Sequence, residues 1–387
     1  PGERRTVATL GGPWRQNRLS PNALTLDYAQ FSKDDGRTWS VSEPVLAFSD
    51  RAAQSQPYNG PLLVRYLFRA EALPRNCSLV LEQPEMYASI RVNGRELRFS
   101  QGEETPGKNT GTTSKKTPGD VSDGEPAGFY LDRAFRTAEI TPLLKKGDNE
   151  IVLALDFRSA VPSSYDADER YGTEIESVYL TGDFAVRGKE VAPPLADSWR
   201  NRSPYLQRTA PVNRLTGFVL TDEPAQVEGD MTLQGYPFFA GSMTLEKEFD
   251  LERTDSAARY FLTFPACEAT VIGINVNGTD LSPLFASPWE ADVTPWLRPG
   301  SNKICLTLTN TLRNLLGPHH HKGGEFTEVR PVTFRAGEDV SNTMTGEPVG
   351  ERDWYDARLK GRAALWRDAY HIIPSGLLAA PEIRRER

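Results

Sequence analysis

The sequence predicts an all-β chain of two successive β-sandwich domains. Three observations carry that expectation: short runs in which apolar and polar residues alternate, Gly and Pro between the runs, and an ordered set of strand and turn signals that occurs twice. The 387 residues include 31 Gly, 29 Pro and 10% aromatic residues, with no long Ala/Glu/Lys/Leu-rich run of helical period. Two domains of ordinary size fit that length, and each can bury a core without metals or disulfides.

The repeat opens on strand pairs, 63–68 then 78–81 in one copy and 243–249 then 260–264 in the other. Each pair leads to a hairpin signal: Ser89-Ile90-Arg91-Val92-Asn93-Gly94-Arg95-Glu96-Leu97, and Gly273-Ile274-Asn275-Val276-Asn277-Gly278-Thr279-Asp280-Leu281. Asn-Gly favours a hairpin because both central residues of a type I′ turn need positive φ. Further on, Ile140-Thr141-Pro142-Leu143 leads through Gly147 to Asn149, as Val293-Thr294-Pro295-Trp296 leads through Gly300 to Asn302. Thr is expected to cap a single helical turn there, with Pro at its first position and Gly at its end. Buried strands close the copies at 151–157 and 304–308.

The copies differ in one interval. Asn93 and Thr141 lie 48 positions apart, Asn277 and Thr294 only 17, so the first copy holds 31 more residues. The excess falls at 101–128, a run of Gly, Thr, Ser, Lys, Asp and Pro too poor in apolar side chains to fold alone, and so a surface loop. The expected division is residues 1–200, an N-terminal extension plus the first sandwich, and 201–387, the second sandwich with a closing segment. A Pro- and Arg-rich connector from Gly188 to Arg214 separates them, and Asp34-Asp35-Gly36 signals a hairpin within the extension.

Composition excludes several classes of function. The net charge is −7 and Lys and Arg are scattered apart from short terminal groups, which argues against a nucleic-acid partner. No stretch approaches the roughly 18 apolar residues of a membrane span. Cys77, Cys267 and Cys305 sit singly in apolar runs and read as small buried hydrophobes. G-x-S-x-G, P-loop and HExxH motifs are missing, as is a dinucleotide-binding glycine turn.

Two segments remain as candidate sites. Sugar recognition needs an aromatic face and planar polar groups, and the loop Tyr165-Asp166-Ala167-Asp168-Glu169-Arg170-Tyr171 supplies both in Tyr165, Asp166, Asp168 and Tyr171. Its paired Asp oxygens also suit Ca²⁺, and an ordinary solvated loop is the third reading. The second segment holds Asn310, Arg313 and Asn314, then His319-His320-His321, directly after a strand. Adjacent residues of an extended chain face opposite sides, so only His319 and His321 can share a face, and no second cluster completes a zinc site. That segment reads as a polar ligand pocket or a hydrogen-bonded structural loop. Carboxylate pairs such as Glu174 and Glu176 read as solvated loop charges. Trp289, Trp296, Tyr236, Phe238 and Phe239 read as core, whereas Trp14, Trp39 and Tyr58 lie outside the repeat and are freer to face a partner. Residues 353–373 suit a short helix or a closing strand.

The Val-Asn-Gly hairpin followed by the Thr-Pro turn resembles the galactose-binding-like jelly roll, the sugar-binding domain of glycoside hydrolase family 2 enzymes. The run Gly235-Tyr236-Pro237-Phe238-Phe239-Ala240-Gly241, with Pro288-Trp289-Glu290-Ala291-Asp292-Val293-Thr294, is similar to the C-terminal part of large bacterial glycosidases, family 106-like α-L-rhamnosidases among them. The resemblance covers most of residues 60–334 and implies two tandem jelly rolls, a catalytic barrel upstream of this chain, and no catalytic acid within it. Pro1 is not a translation start, which agrees with a piece of a longer protein. The expected role is that of ancillary carbohydrate-binding or scaffolding domains of a bacterial glycoside hydrolase, with carbohydrate and the upstream catalytic domain as partners. Fold analogy leaves two alternatives open: a complete glycosidase with a carboxylate pair between the domains, and a protein interaction module without sugar affinity.

Overall fold

Alternation of apolar residues becomes a set of sheets packed in pairs, antiparallel except where β15 (Asn213–Thr221) runs parallel to β6 (Asn59–Ala70). The computed structural model describes residues 4–54, 56–99, 128–161, 164–166, 172–191, 212–317, 319–320 and 368–386. The expected surface loop lies outside these residues apart from Gly128, as do Asp168, Tyr171, His321 and 353–367. No helix among the described residues is long and apolar enough to cross a membrane.

The chain begins with β1 (Arg4–Thr9) and β2 (Trp14–Arg18), then β3 (Asn22–Leu26), β4 (Tyr28–Ser32), β5 (Glu43–Pro44) and helix α1 (Val45–Gln54). Next come β6 (Asn59–Ala70), β7 (Cys77–Glu82), β8 (Ser89–Val92), β9 (Arg95–Glu96), β10 (Phe129–Tyr130) and β11 (Asp132–Glu139). They are followed by β12 (Gly147–Arg158), β13 (Val178–Gly182), β14 (Ala185–Glu190), β15 (Asn213–Thr221) and β16 (Gln226–Val227). The second half holds β17 (Ser242–Leu251), β18 (Arg259–Thr263), β19 (Val271–Val276), β20 (Thr279–Leu284), β21 (Glu290–Asp292) and β22 (Gly300–Thr309). Helix α2 (Arg313–Leu316), β23 (Tyr370–Ile372) and β24 (Glu382–Glu386) complete it.

One sandwich pairs the sheet β10-β11-β7-β13-β3 with β14-β15-β6-β12-β8-β9, to which β4 adds along β6 and β23 along β15. The other pairs β1-β24-β18-β21 with β16-β2-β17-β22-β19-β20. Along β6 and β12 every second residue is buried, so Val64, Tyr66 and Phe68 meet Ile151, Leu153 and Leu155 in the first core. By contrast β3 and β13 are buried nearly throughout. One reason is that α2 lies over β3, where the Thr25 hydroxyl donates to the Leu315 carbonyl at 2.7 Å.

The repeat is a repeat of hydrogen bonds as well as of strand order. Asn93 (φ 51°) and Asn277 (φ 52°) turn the hairpins with Gly94 and Gly278. The Asn93 amide donates to the Leu143 carbonyl at 2.8 Å and to Asn149 Oδ1 at 2.8 Å, and its Oδ1 accepts from the Glu150 N–H at 3.1 Å. Asn277 donates to the Trp296 carbonyl at 2.8 Å and Asn302 Oδ1 at 2.9 Å, and accepts from Lys303 N–H at 2.8 Å. Asn149 and Asn302 then close their own loops by donating to the carbonyls of Lys145 and Gly147, and of Arg298 and Gly300. Each turn therefore needs Asn for two reasons, its tolerance of positive φ and a carboxamide that ties the hairpin to the neighbouring strand. The threonines do something other than cap. Ile140 and Val293 hold the cap positions of the 3₁₀ turns without side-chain bonds. The Thr141 hydroxyl instead accepts from Cys77 N–H and that of Thr294 from Tyr260 N–H, both at 2.8 Å, stitching each turn to the opposite sheet.

Strand pairing departs from the division at 200/201. β1 pairs β24 as β3 pairs β13, and β2 pairs β17 as β4 pairs β6. Residues 4–18 therefore supply the first two strands of the second sandwich, and the first sandwich is inserted after them in the chain. Conversely β15 and β23, from beyond residue 200, extend the first sandwich. Trp14, which the sequence left free to face a partner, is accordingly 3% exposed and packed in the second core. Within 353–373, residues 370–372 form strand β23.

The run Gly235–Gly241 is the seam. Tyr236 and Phe239 enter the second core while Phe238 and Ala240 enter the first. A Cβ on Gly235 (φ 110°) would meet Ala185 Cβ at 2.7 Å, so only glycine lets the sandwiches approach here. Beside it the Arg18 guanidinium bonds to Asp183 at 3.0 Å, to both oxygens of Glu223, and to the Ser20 carbonyl at 2.7 Å. All three cysteines are free, and burial pushes the Cys267 thiol up to about 12.

Candidate binding clefts

Of the loop residues expected to meet sugar, Tyr165 projects fully into solvent and the Asp166 amide bonds to Ser164 Oγ at 3.1 Å. Asp168 and Tyr171, and with them the Ca²⁺ expectation, lie outside the described residues.

The structure does bring Asn310, Arg313 and Asn314 together. They line a cleft of about 140 Å³ with Glu268, Thr270 and Ser375, beyond the ends of β19 and β22. Both carboxamides are engaged within the protein. Asn310 Oδ1 accepts from Gly241 N–H at 2.8 Å and its amide donates to the Phe239 carbonyl at 2.7 Å. Asn314 makes the equivalent two bonds with the backbone of Ile373, at 2.8 and 2.9 Å. Among the described residues no aromatic side chain lines this cleft to offer the apolar face that a sugar ring needs.

His319 stands behind the cleft in a buried group that the sequence does not announce. Its Nε2 lies 2.9 Å from the Asn314 carbonyl and its Nδ1 3.9 Å from Asp27. Asp27, between β3 and β4, also takes the Tyr370 hydroxyl on Oδ1 and His320 Nε2 at 3.0 Å on Oδ2. Burial opposes charge on Asp27, but the nearby His320 and hydrogen bonds from both imidazoles outweigh it and hold the carboxyl well below the usual range. Burial pushes His319 down, against the hydrogen bond and the charge of Asp27, which raise it. With His319 and His320 each 3% exposed, this group is a clamp that fixes 319–320 and β23 onto the first sandwich.

Glu176 is likewise not the solvated loop charge expected. Burial, then the charges of Glu174 and Glu82, raise its carboxyl to about 7. A carboxyl raised above its unfolded value disfavours the folded state once ionised, so the penalty is absent below about pH 4.5 and grows as pH rises through 7. Glu176→Gln should therefore raise stability by about 2 kcal/mol at pH 8 and leave it unchanged at pH 4. Denaturant melts at the two pH values check this, and equal gains at both would show that the charge is not responsible.

The larger cleft, about 260 Å³, opens between α1 and the turn at 33–40. The turn is the hairpin signalled by Asp34-Asp35-Gly36, with φ of 58° at Asp35 and 80° at Gly36. Hydrogen bonds from the Thr38 hydroxyl and N–H, then from the Ser32 hydroxyl, hold the Asp34 carboxyl at about 2 and lock the loop. Phe31 and Phe48, stacked at 4.3 Å between ring centroids, form the floor. On the rim Arg51 grips Glu43 with both terminal nitrogens, Nη2 to Oε1 at 2.6 Å. Lys33 places its ammonium 4.4 Å from the Tyr58 ring and 5.4 Å from that of Phe48. Trp39, one residue from rim residues Thr38 and Ser40, carries the Arg65 guanidinium at 3.9 Å. Trp39 and Tyr58, unlike Trp14, are thus half-buried aromatics at an open edge. Glu43, Phe48 and Arg51 were not singled out from the sequence, although Val45, Phe48 and Ala52 recur at helical spacing.

No protein-family model matches the chain, and no curated protein matches it. Among solved structures it is similar to a rhamnosidase from Novosphingobium sp. PP1Y, at 13% identity and TM-score 0.26, over 84% of this chain and 23% of that one. A β-D-mannosidase from Dictyoglomus thermophilum aligns at 14% identity and TM-score 0.27, over 74% of this chain and 31% of its own. For a Streptomyces avermitilis α-L-rhamnosidase complexed with L-rhamnose the values are 12%, 0.30, 77% and 25%. The chain thus spans a third or less of these glycoside hydrolases, and the likeness is too low to carry a family assignment.

Proposed function

We propose that the chain is a non-catalytic β-sandwich region of a glycoside hydrolase, and that it binds carbohydrate in the cleft between α1 and the 33–40 turn. The observation that carries this reading is the union of an aromatic floor, Phe31 and Phe48, with the planar polar groups of Glu43 and Arg51 at one sugar-sized opening. Cleavage asks for two carboxylates some 5–10 Å apart with one bond between them. Among the described residues Glu43 is the one carboxylate lining this cleft, and Arg51 neutralises it. The inter-sandwich enzyme reading would use Asp183 and Glu223, but both are bound by Arg18, whose side chain is 8% exposed. A buried guanidinium between two carboxylates favours a structural bracket over an acid–base pair.

Titration of the purified chain with monosaccharides, followed by heteronuclear NMR, tests the proposal. Binding near millimolar is expected, with shifts confined to the cleft, because few contacts must offset the cost of association. The double variant Glu43→Met with Arg51→Met removes both members of the ion pair together; it should weaken binding about tenfold. Hydrolysis of aryl glycosides by the purified chain, lost on changing one carboxylate, would falsify the non-catalytic reading.

A further inference from the structure

We infer that the carbohydrate taken by this cleft is acidic, a uronate-class sugar whose carboxylate is received by Lys33; this rests on the cleft being the binding site proposed above. Among the described residues three charged side chains line the opening, and two cancel. Arg51 and Glu43 form a two-pronged pair, which leaves the Lys33 ammonium as the surplus charge. Among the described residues Lys33 makes no ion pair, and the adjacent Asp34 carboxylate is turned into its own loop by Thr38 and Ser32. The ammonium is also placed in advance. It lies against the Tyr58 and Phe48 rings, so its flexible stem loses less freedom on meeting an anion than a lysine waving in solvent would. A neutral hydroxyl gives such a group an ordinary hydrogen bond, whereas a carboxylate gives a charge-assisted one. Phe31 and Phe48, stacked on each other and nearly buried, supply the apolar side of the opening for the C–H side of the same ring.

Isothermal titration or NMR of the full chain with glucuronate, the methyl ester of glucuronate and glucose separates the possibilities. At low ionic strength glucuronate should bind about fivefold more tightly than its neutral ester, the most an exposed ion pair usually gives. That advantage should shrink toward unity at about 0.3 M salt, since the pair is at the surface. Lys33→Gln should bring glucuronate down to the affinity of the ester without moving the melting temperature, because the side chain is exposed. Equal affinity for glucuronate and ester in the unmodified chain, or a preference that survives Lys33→Gln, overturns the inference while leaving the cleft as a sugar site. Failure of all three ligands to bind removes the site itself and this inference with it.

Discussion

Residues 201–387 expressed as a separate fragment should not fold cooperatively, although the division at 200/201 looks like the natural place to cut. The fragment lacks β1 and β2, which pair with β24 and β17. It also lacks Leu10 and Trp14, exposed by only 1% and 3% in the core of the second sandwich. Truncating a buried Trp costs about 3–5 kcal/mol and a buried Leu about 2–5 kcal/mol, and small domains hold only about 5–15 kcal/mol in total. Loss of two strands adds the unpaired edges of β17 and β24 to that deficit, which makes aggregation the expected fate. Adding a synthetic peptide of residues 1–20 should restore a dispersed NMR spectrum, because the strands that β1 and β2 pair with, β24, β16 and β17, all lie within the fragment. A cooperative melt by the unaided fragment would show that the N-terminal strands are dispensable and that nesting is not what holds this sandwich.

The sequence made the repeat legible because the repeat is written in residues with few substitutes. Asn93, Gly94 and Asn149, like Asn277, Gly278 and Asn302, meet a positive φ or a network that other side chains cannot complete. The nesting was not legible, for an equally physical reason. β1 contributes backbone hydrogen bonds while its side chains are nearly all exposed, and β2 offers a single fully buried residue, Trp14, so neither carries a pattern to detect. At the candidate sites, polar clustering at Asn310 to His319 was visible, but its meaning depended on distant partners. His320 meets Asp27 across 293 positions and Tyr370 meets it across 343, and such contacts have no local trace. The larger cleft joins a turn to a short helix through Glu43 and Arg51, whose pairing is fixed only once α1 folds back on β5.

Asp27→Ala should lower stability by about 3 kcal/mol at neutral pH. The substitution strips the acceptor from the buried Tyr370 hydroxyl and from His320, and a buried donor left unsatisfied costs about 1–3 kcal/mol. Tyr370→Phe removes one of those bonds with its donor and should cost only about 1 kcal/mol. The pH dependence separates the clamp from simple loss of packing. A carboxyl held below its unfolded value contributes stability that is complete above about pH 4 and is lost as pH falls toward the folded value. His319, lowered by burial, binds its proton more readily in the unfolded chain, so stability also declines from about pH 6.5 downward. On acidification the His319 contribution is therefore lost below about pH 6.5 and the Asp27 contribution below about pH 4, while relief of the Glu176 penalty between pH 7 and 4.5 acts in the opposite direction. Asp27→Ala lacks the Asp27 share of the loss below pH 4, which other depressed carboxylates such as Asp34 still contribute in both proteins, so the gap between the two narrows with acid. Urea midpoints at pH 7.5, 5.5 and 3.5 measure both legs. A gap that stays constant across the three values would mean that Asp27 acts through its volume alone and that its charge does not fasten β23 to the first sandwich.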